Sequence, residues 1–135
     1  VLAELGIRSI LTLCAPAEGT LPTEIQKSFP CQQFFLPDSH YVQPIEVEQL
    51  AEAARIVSRL IQRRSPVYVH CLAGQERSAL TCLTYLCCYL ELDMMGALAY
   101  LKQVHPPASP TNSQLLVLQT LLERERQARK PVGTI

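Results

Sequence analysis

Apolar and polar positions alternate between two periods along this chain, and the switches mark its elements. Ile7–Leu13 is apolar and β-branched enough to predict a buried strand, and Cys31–Leu36 reads as a second strand, ended by Pro37. Val67–Val69 is a third such run and predicts a buried strand. Between the second and third, Val47, Leu50, Ala54, Val57 and Ile61 recur at helical spacing, which predicts an amphipathic helix over 45–63, stopped by Arg63-Arg64-Ser65-Pro66. Ser78–Leu90 is apolar almost all round and predicts a central buried helix. Asp93 ahead of Met94, Met95, Leu98 and Leu101 predicts an N-cap and a further helix. Pro106, Pro107 and Pro110 break the chain, and Leu115, Leu116, Leu118, Leu121 and Leu122 form the apolar side of a last helix. Val1–Leu5 reads as a helix end closed by Gly6, Ala15–Thr20 as a loop and Pro22–Ser28 as a short helix. Strands separated by helices predict an α/β fold: a mostly parallel sheet of about four strands flanked by helices, with its site at the C-terminal ends of the strands.

Composition adds limits. A chain of 135 residues, 48% hydrophobic and 18% charged, is expected to form one globular domain spanning 1–135. Twelve basic and twelve acidic residues cancel, so nothing global points to nucleic acid or an anionic membrane. No apolar run reaches the length of a membrane span, and no signal peptide is visible. The chain opens on Val rather than Met, which fits a fragment or a processed protein. Six cysteines at positions 14, 31, 71, 82, 87 and 88 show no regular spacing. The adjacent pair Cys87-Cys88 in an apolar helix reads as core filler, and the set favours a reducing, cytoplasmic setting. The three histidines, His40, His70 and His105, lack metal-ligand spacing, so no metal or other cofactor is expected.

The chemistry concentrates in His70-Cys71-Leu72-Ala73-Gly74-Gln75-Glu76-Arg77-Ser78. The segment leaves a strand, turns through a short loop and enters a helix, where unpaired N–H groups and the helix dipole favour an anion. Those N–H groups and Arg77 favour the thiolate of Cys71, the reactive form of the residue. Arg77 adds a planar fork that can hold two oxygens of a tetrahedral oxyanion. The pattern reads as a phosphate cradle with a sulfur nucleophile at its base. A buried structural Cys beside a loop Arg is the plainer alternative. Breaking a phosphate ester also needs a proton for the departing oxygen. Of only two Asp, Asp93 is explained as a helix cap, which leaves Asp38, in a polar loop directly after a strand.

This segment resembles the signature of the cysteine-dependent protein tyrosine phosphatase superfamily. Ala73-Gly74, the small size and the absence of Trp are most similar to its dual-specificity branch. The resemblance implies that Cys71 attacks phosphorus and becomes a phosphocysteine. Asp38 then protonates the leaving oxygen and later takes a proton from water. Arg77 and the N–H groups of residues 72–77, including Leu72, Ala73, Gly74, Gln75 and Glu76, hold the equatorial oxygens. Ser78 helps the sulfur leave, His70 tunes Cys71 through hydrogen bonds, and Gly74 allows the tight turn. The implied substrate is a phosphorylated protein, at phosphotyrosine or phosphoserine/threonine. A phosphopeptide-binding pseudophosphatase and an enzyme for a non-protein phosphate ester are the alternatives; intact Cys71, Arg77 and Asp38 argue against the first. Relatives usually carry another strand before this chain's first one.

Four features depart from the family pattern. Glu76 stands where the branch often has a small residue, and it would repel a highly charged substrate unless its side chain points away. Leu72 and Gln75 are neutral where relatives acting on phosphoinositides often place Lys. Asn112 is offset by one from the family's Pro-Asn, so a turn or cap is expected of it as readily as a supporting role. His40 and Tyr41 are equally balanced between touching substrate and lining a solvated loop. Cys14, ending one strand as Cys71 ends another, is a candidate redox partner for Cys71 if the two strands are parallel neighbours.

Overall fold

The computed structural model describes residues 6–72 and 75–129, with only the backbone of Arg64. The helix end expected over Val1–Leu5, and Ala73 and Gly74 of the signature, lie outside these residues. Three strands, β1 (Ser9–Thr12), β2 (Cys31–Gln33) and β3 (Val67–His70), form one parallel sheet in the order β2–β1–β3. The expectation was about four, so among the described residues the sheet is one strand smaller. Five helices accompany it: α1 (Thr23–Ser28), α2 (Val47–Arg64), α3 (Arg77–Tyr89), α4 (Met94–Val104) and α5 (Asn112–Ala128).

The order of the strands corrects one expectation. The run Val67–Val69 predicts burial, as Ile7–Leu13 does, yet β3 is only half-buried and Tyr68 is exposed, because β3 lies at an edge. The buried strand is β1. Its successive side chains point to opposite faces, and Ser9, Ile10 and Leu11 are all fully covered. The second strand is also shorter than its apolar run. After Gln33 the chain keeps only two bonds to its neighbour, Phe34 N–H to Thr12 O and Leu36 N–H to Leu13 O, and then peels away.

The helices follow the pattern. α2 buries Leu50, Ala53, Ala54, Ile56 and Val57 and packs on α3 and α5. α3 is the central helix, with Ala79, Leu80, Leu83 and Cys87 in the core beside Leu11, Leu13, Leu98 and Leu118. Asp93 caps α4, its Oδ1 accepting from Gly96 N–H at 2.7 Å. Thr111 caps α5 in a reciprocal box: Thr111 Oγ1 accepts from Gln114 N–H (3.1 Å), and Gln114 Oε1 accepts from Thr111 N–H (2.8 Å). Asn112 is therefore the first residue of the helix and exposed, and the reach toward the signature loop falls to Gln114 instead.

Candidate active site

Three parallel strands deliver three loops to one edge of the sheet. The loop after β1 carries Glu18, the segment after β2 carries Asp38, and the loop after β3 is the signature. A hollow of about 130 Å³ lies there, lined by Asp38, His40, Cys71, Leu72, Gln75, Glu76 and Arg77. The structure thus brings together Cys71, Arg77 and Asp38, residues far apart in sequence. Cys71 is buried just past the end of β3, and its Sγ is 3.4 Å from Ser78 Oγ in the first turn of α3.

Arg77 is 1% exposed, so its charge needs partners. It finds them mainly in Glu18, which sequence reasoning passed over as part of a loop. Nη1 donates to Glu18 Oε2 (3.1 Å) and Nη2 to Glu18 Oε1 (2.7 Å), a two-pronged pair. Nη1 also donates to Leu36 O at 2.9 Å, at the point where the chain leaves β1. An arginine carries five N–H donors. These bonds commit three, and the other two, on Nε and Nη2, share one edge of the fork. That edge is the geometry that grips two oxygens of an oxyanion. Asp38 Oδ2 stands 3.6 Å from Nη2, beyond hydrogen-bond length.

Glu18 is well held. Its Oε2 also accepts from Ala15 N–H (2.8 Å) and from Tyr41 Oη–H (2.9 Å). The Arg77 hydrogen bonds outweigh burial and bring its carboxyl pKa down to about 2. For Arg77, burial works against the charge, but the hydrogen bonds and charge of Glu18, with the charges of Asp38 and Cys71, outweigh it and raise the pKa. A buried guanidinium in the signature calls for a counter-ion, and the loop after the neighbouring parallel strand was the place to seek it. Tyr41 accordingly braces Glu18 and packs edge-on against Phe35, at 5.3 Å between centroids. His40 lines the hollow with a largely exposed ring, while its backbone N–H donates to Asp38 Oδ1 at 2.9 Å.

A folded pKa depressed below the unfolded value gives a definite sign. The Glu18 contribution to stability is complete above the ordinary glutamate pKa and is lost as pH falls through about 2. Glu18→Gln leaves a buried cation half-paired, so about 3 kcal/mol is expected to go at neutral pH, roughly 10 °C in Tm. Thermal melts should show this gap and its closure toward pH 2, where wild-type Glu18 is itself protonated. A constant gap across that range would mean that the pair contributes nothing through its charge.

His70 does not line the hollow. Its Nε2 is 2.7 Å from Thr12 Oγ1 across the β1–β3 pair, and its ring stacks on Tyr68. Burial lowers its pKa against a backbone hydrogen bond at Cys71 that raises it, so the imidazole is neutral at neutral pH. Glu76 turns away from the cradle. Its Oε1 accepts from Ser39 N–H (3.1 Å) and Gln114 Nε2 (3.0 Å), and its Oε2 from Ser39 Oγ–H (2.8 Å). Leu72 and Gln75 are exposed at the rim, and Gln75 O accepts from Ser109 N–H at 2.7 Å. Cys14 is buried, and no disulfide joins cysteines among the described residues. Burial raises the Cys14 pKa first, then the charge of Glu18, with Arg77 opposing and Cys71 adding to the rise.

Comparison with known proteins places this geometry in a family. The chain is 27% identical over 105 residues to the phosphatidylglycerophosphate phosphatase PTPMT1 of Arabidopsis thaliana, covering 78% of this chain and 31% of that protein. It is 29% identical over 138 residues to the dual specificity protein phosphatase PHS1 of the same plant, covering 96% of this chain and 14% of that protein. The chain therefore spans a third or less of these two relatives. Among solved structures, that of PTPMT1 in complex with PI(5)P superposes with a TM-score of 0.79 at 19% identity, over 96% of this chain and 85% of that one, a likeness of fold. The family profile described as the dual specificity phosphatase catalytic domain matches residues 3–127, nearly the whole chain, and to that family this chain belongs.

Proposed function

We propose that this domain hydrolyses phosphate monoesters of proteins through a phosphocysteine. The observation that carries the reading is a buried Arg77 that lines one hollow with Cys71 and Asp38 and whose Nε/Nη2 edge donates no hydrogen bond to Glu18 or Leu36 O. The phosphate seats two oxygens on that edge and others on N–H groups at the start of α3. The Cys71 thiolate attacks phosphorus in line with the ester oxygen, and protonated Asp38 gives its proton to that oxygen as the P–O bond breaks. The Asp38 carboxylate then accepts a proton from the water that attacks the phosphocysteine. Ser78 Oγ, 3.4 Å from Sγ, donates to the departing thiolate. Each of these steps is carried by a side chain of this protein.

The mouth of the site supports a singly phosphorylated protein over a polyphosphate. Its only arginine is already paired with Glu18, Asp38 and Glu76 stand at the rim, and no lysine lines the hollow. The hollow is also small, about 130 Å³, and the reading takes in phosphoserine and phosphothreonine as well as phosphotyrosine. A thiolate nucleophile suits a reducing, cytoplasmic setting. The non-protein alternative draws on the relative whose name specifies phosphatidylglycerophosphate.

The test sets phosphotyrosine and phosphoserine peptides, an aryl phosphate and monophosphorylated lipid vesicles side by side, each with excess chelator. Turnover of the aryl phosphate and peptides with chelator present, and faster than of the lipid, is the expected result. Lipid turnover exceeding that of every peptide would transfer the assignment to the lipid class. No turnover of any of the four would leave the pseudophosphatase.

Cys14 extends the reading to redox control. Thr12 pairs with His70 in the parallel register, and Leu13 N–H donates to His70 O at 3.0 Å, so Cys14 and Cys71 leave adjacent strands at the same edge. A peroxide oxidises the Cys71 thiolate to a sulfenic acid. The Cys14 thiol attacks that sulfur, releasing water and leaving a disulfide that a thiol reductant reopens. The raised pKa of Cys14 makes the resolving step slow at neutral pH and faster as pH rises. Wild-type activity lost to peroxide should return with reductant, and in Cys14→Ser the loss should become irreversible. Full recovery in Cys14→Ser would remove Cys14 from the scheme.

A further inference from the structure

Asp38 needs a fixed position to deliver a proton, yet little of its own chain fixes it. The segment 37–41 has no regular structure, and Ser39 and His40 are exposed. Within the segment, Asp38 Oδ1 accepts from His40 N–H and Asp38 O from Tyr41 N–H, local turn bonds that can travel with the loop. What ties the residue after Asp38 to the rest of the site is a carboxylate of the signature loop. Glu76 receives both the N–H and the hydroxyl of Ser39. Its Oε1 also receives Gln114 Nε2.

Gln114 is 6% exposed, and its amide is oriented from its other end. Oε1 is occupied by Thr111 N–H in the cap of α5, so the amide nitrogen is the end that faces Glu76. A rotated amide would set two donors against each other at the cap and two acceptors against each other at Glu76. The α5 cap therefore aims a donor at Glu76, and Glu76 relays that fixed point to Ser39. Three segments separated by more than thirty residues from one another meet on one carboxylate.

We propose that Glu76 is a positioning residue that clasps the Asp38 loop to the signature loop and so sets the proton donor against the Cys71 site. The inference rests on the reading of Asp38 as the proton donor. It also accounts for a carboxylate beside an anion site: its oxygens are spent on Ser39 and Gln114 rather than turned toward the phosphate. Glu76 touches no reacting atom, and its effect passes through Asp38.

The experiment measures kcat and KM for an alkyl phosphate and an activated aryl phosphate in wild type, Glu76→Ala, Glu76→Gln and Ser39→Ala, and repeats Glu76→Ala in an Asp38→Asn background. Glu76→Ala should lower kcat for the alkyl phosphate about tenfold, with much less change for the aryl phosphate and a KM no higher than wild type. Glu76→Gln keeps one acceptor oxygen for Ser39 and should recover part of the loss, and Ser39→Ala should lose in the same direction. In Asp38→Asn the Glu76→Ala step should cost nothing more, because the group it positions is gone. Equal losses on both substrates, or a full further loss in the Asp38→Asn background, would place Glu76 in the phosphate cradle and overturn the clasp. Exchange of the Ser39 amide hydrogen, followed by NMR, needs no turnover: it should be protected in wild type and faster in Glu76→Ala, and equal exchange would overturn the clasp. An Asp38→Asn variant insensitive to the leaving group, with Ser39 exchange still dependent on Glu76, would instead overturn the role of Asp38.

Discussion

Cys71→Ser is expected to end turnover, with kcat falling by a factor on the order of 10⁴ or more, while vanadate or phosphate still binds. The two halves of this result have separate structural causes. A thiol ionises far more readily than an alcohol, so a serine hydroxyl in the place of the sulfur is a much weaker nucleophile. Oxyanion binding persists because Arg77 is held by Glu18 and Leu36 O, neither of which depends on the sulfur. The change is also small in volume, at a position 9% exposed beside Ser78 Oγ, so the fold should tolerate it. Single-turnover kinetics on an aryl phosphate, with calorimetric titration of vanadate, reads both halves. Near wild-type turnover in Cys71→Ser would remove the phosphocysteine route altogether.

Asp38→Asn should act through the leaving group. An alkyl phosphate needs its departing oxygen protonated and should lose about 10²-fold or more in kcat; an activated aryl phosphate leaves as a stable anion and should lose far less. Asparagine keeps an acceptor for His40 N–H, so the local turn is retained. Removing a negative charge that stands 3.6 Å from Arg77 Nη2 should tighten substrate binding even as turnover drops. A lower KM with a lower kcat is therefore the signature, and it suits the variant to trapping phosphorylated partners. Equal losses on both substrates would move the proton donor elsewhere.

Much of this site was legible along the chain, and the legible parts share a cause. The strand–loop–helix run around Cys71 and Arg77, the cap at Asp93 and the helical stripe from Val47 to Ile61 are local patterns. Their physics acts within a few residues, through backbone hydrogen bonding and side-chain period. Asp38 is singled out by a similar economy, since the other aspartate is accounted for as the cap of α4. The strand lengths were overread: β1 covers Ser9–Thr12 of the expected Ile7–Leu13, and β2 stops at Gln33, beyond which the carbonyl of Leu36 serves Arg77.

What tertiary structure alone decided involves groups that meet across long stretches of chain. Glu76 adjoins the signature's Arg in sequence and Glu18 does not, yet nothing local says that Glu18 faces Arg77 while Glu76 faces away. That choice follows from strand order. With β1 central, its loop lies directly against the signature loop, so Glu18 reaches the guanidinium from 59 residues away. Glu76 turns because Ser39 and a capped Gln114 offer it donors on the far side. The same order buried β1, as its apolar run predicts, but left β3 half-covered at the edge although its own run also predicts burial. Periodicity determines which residues want cover, whereas the neighbours that provide it, and the donor each charge meets, are set only when distant segments pack.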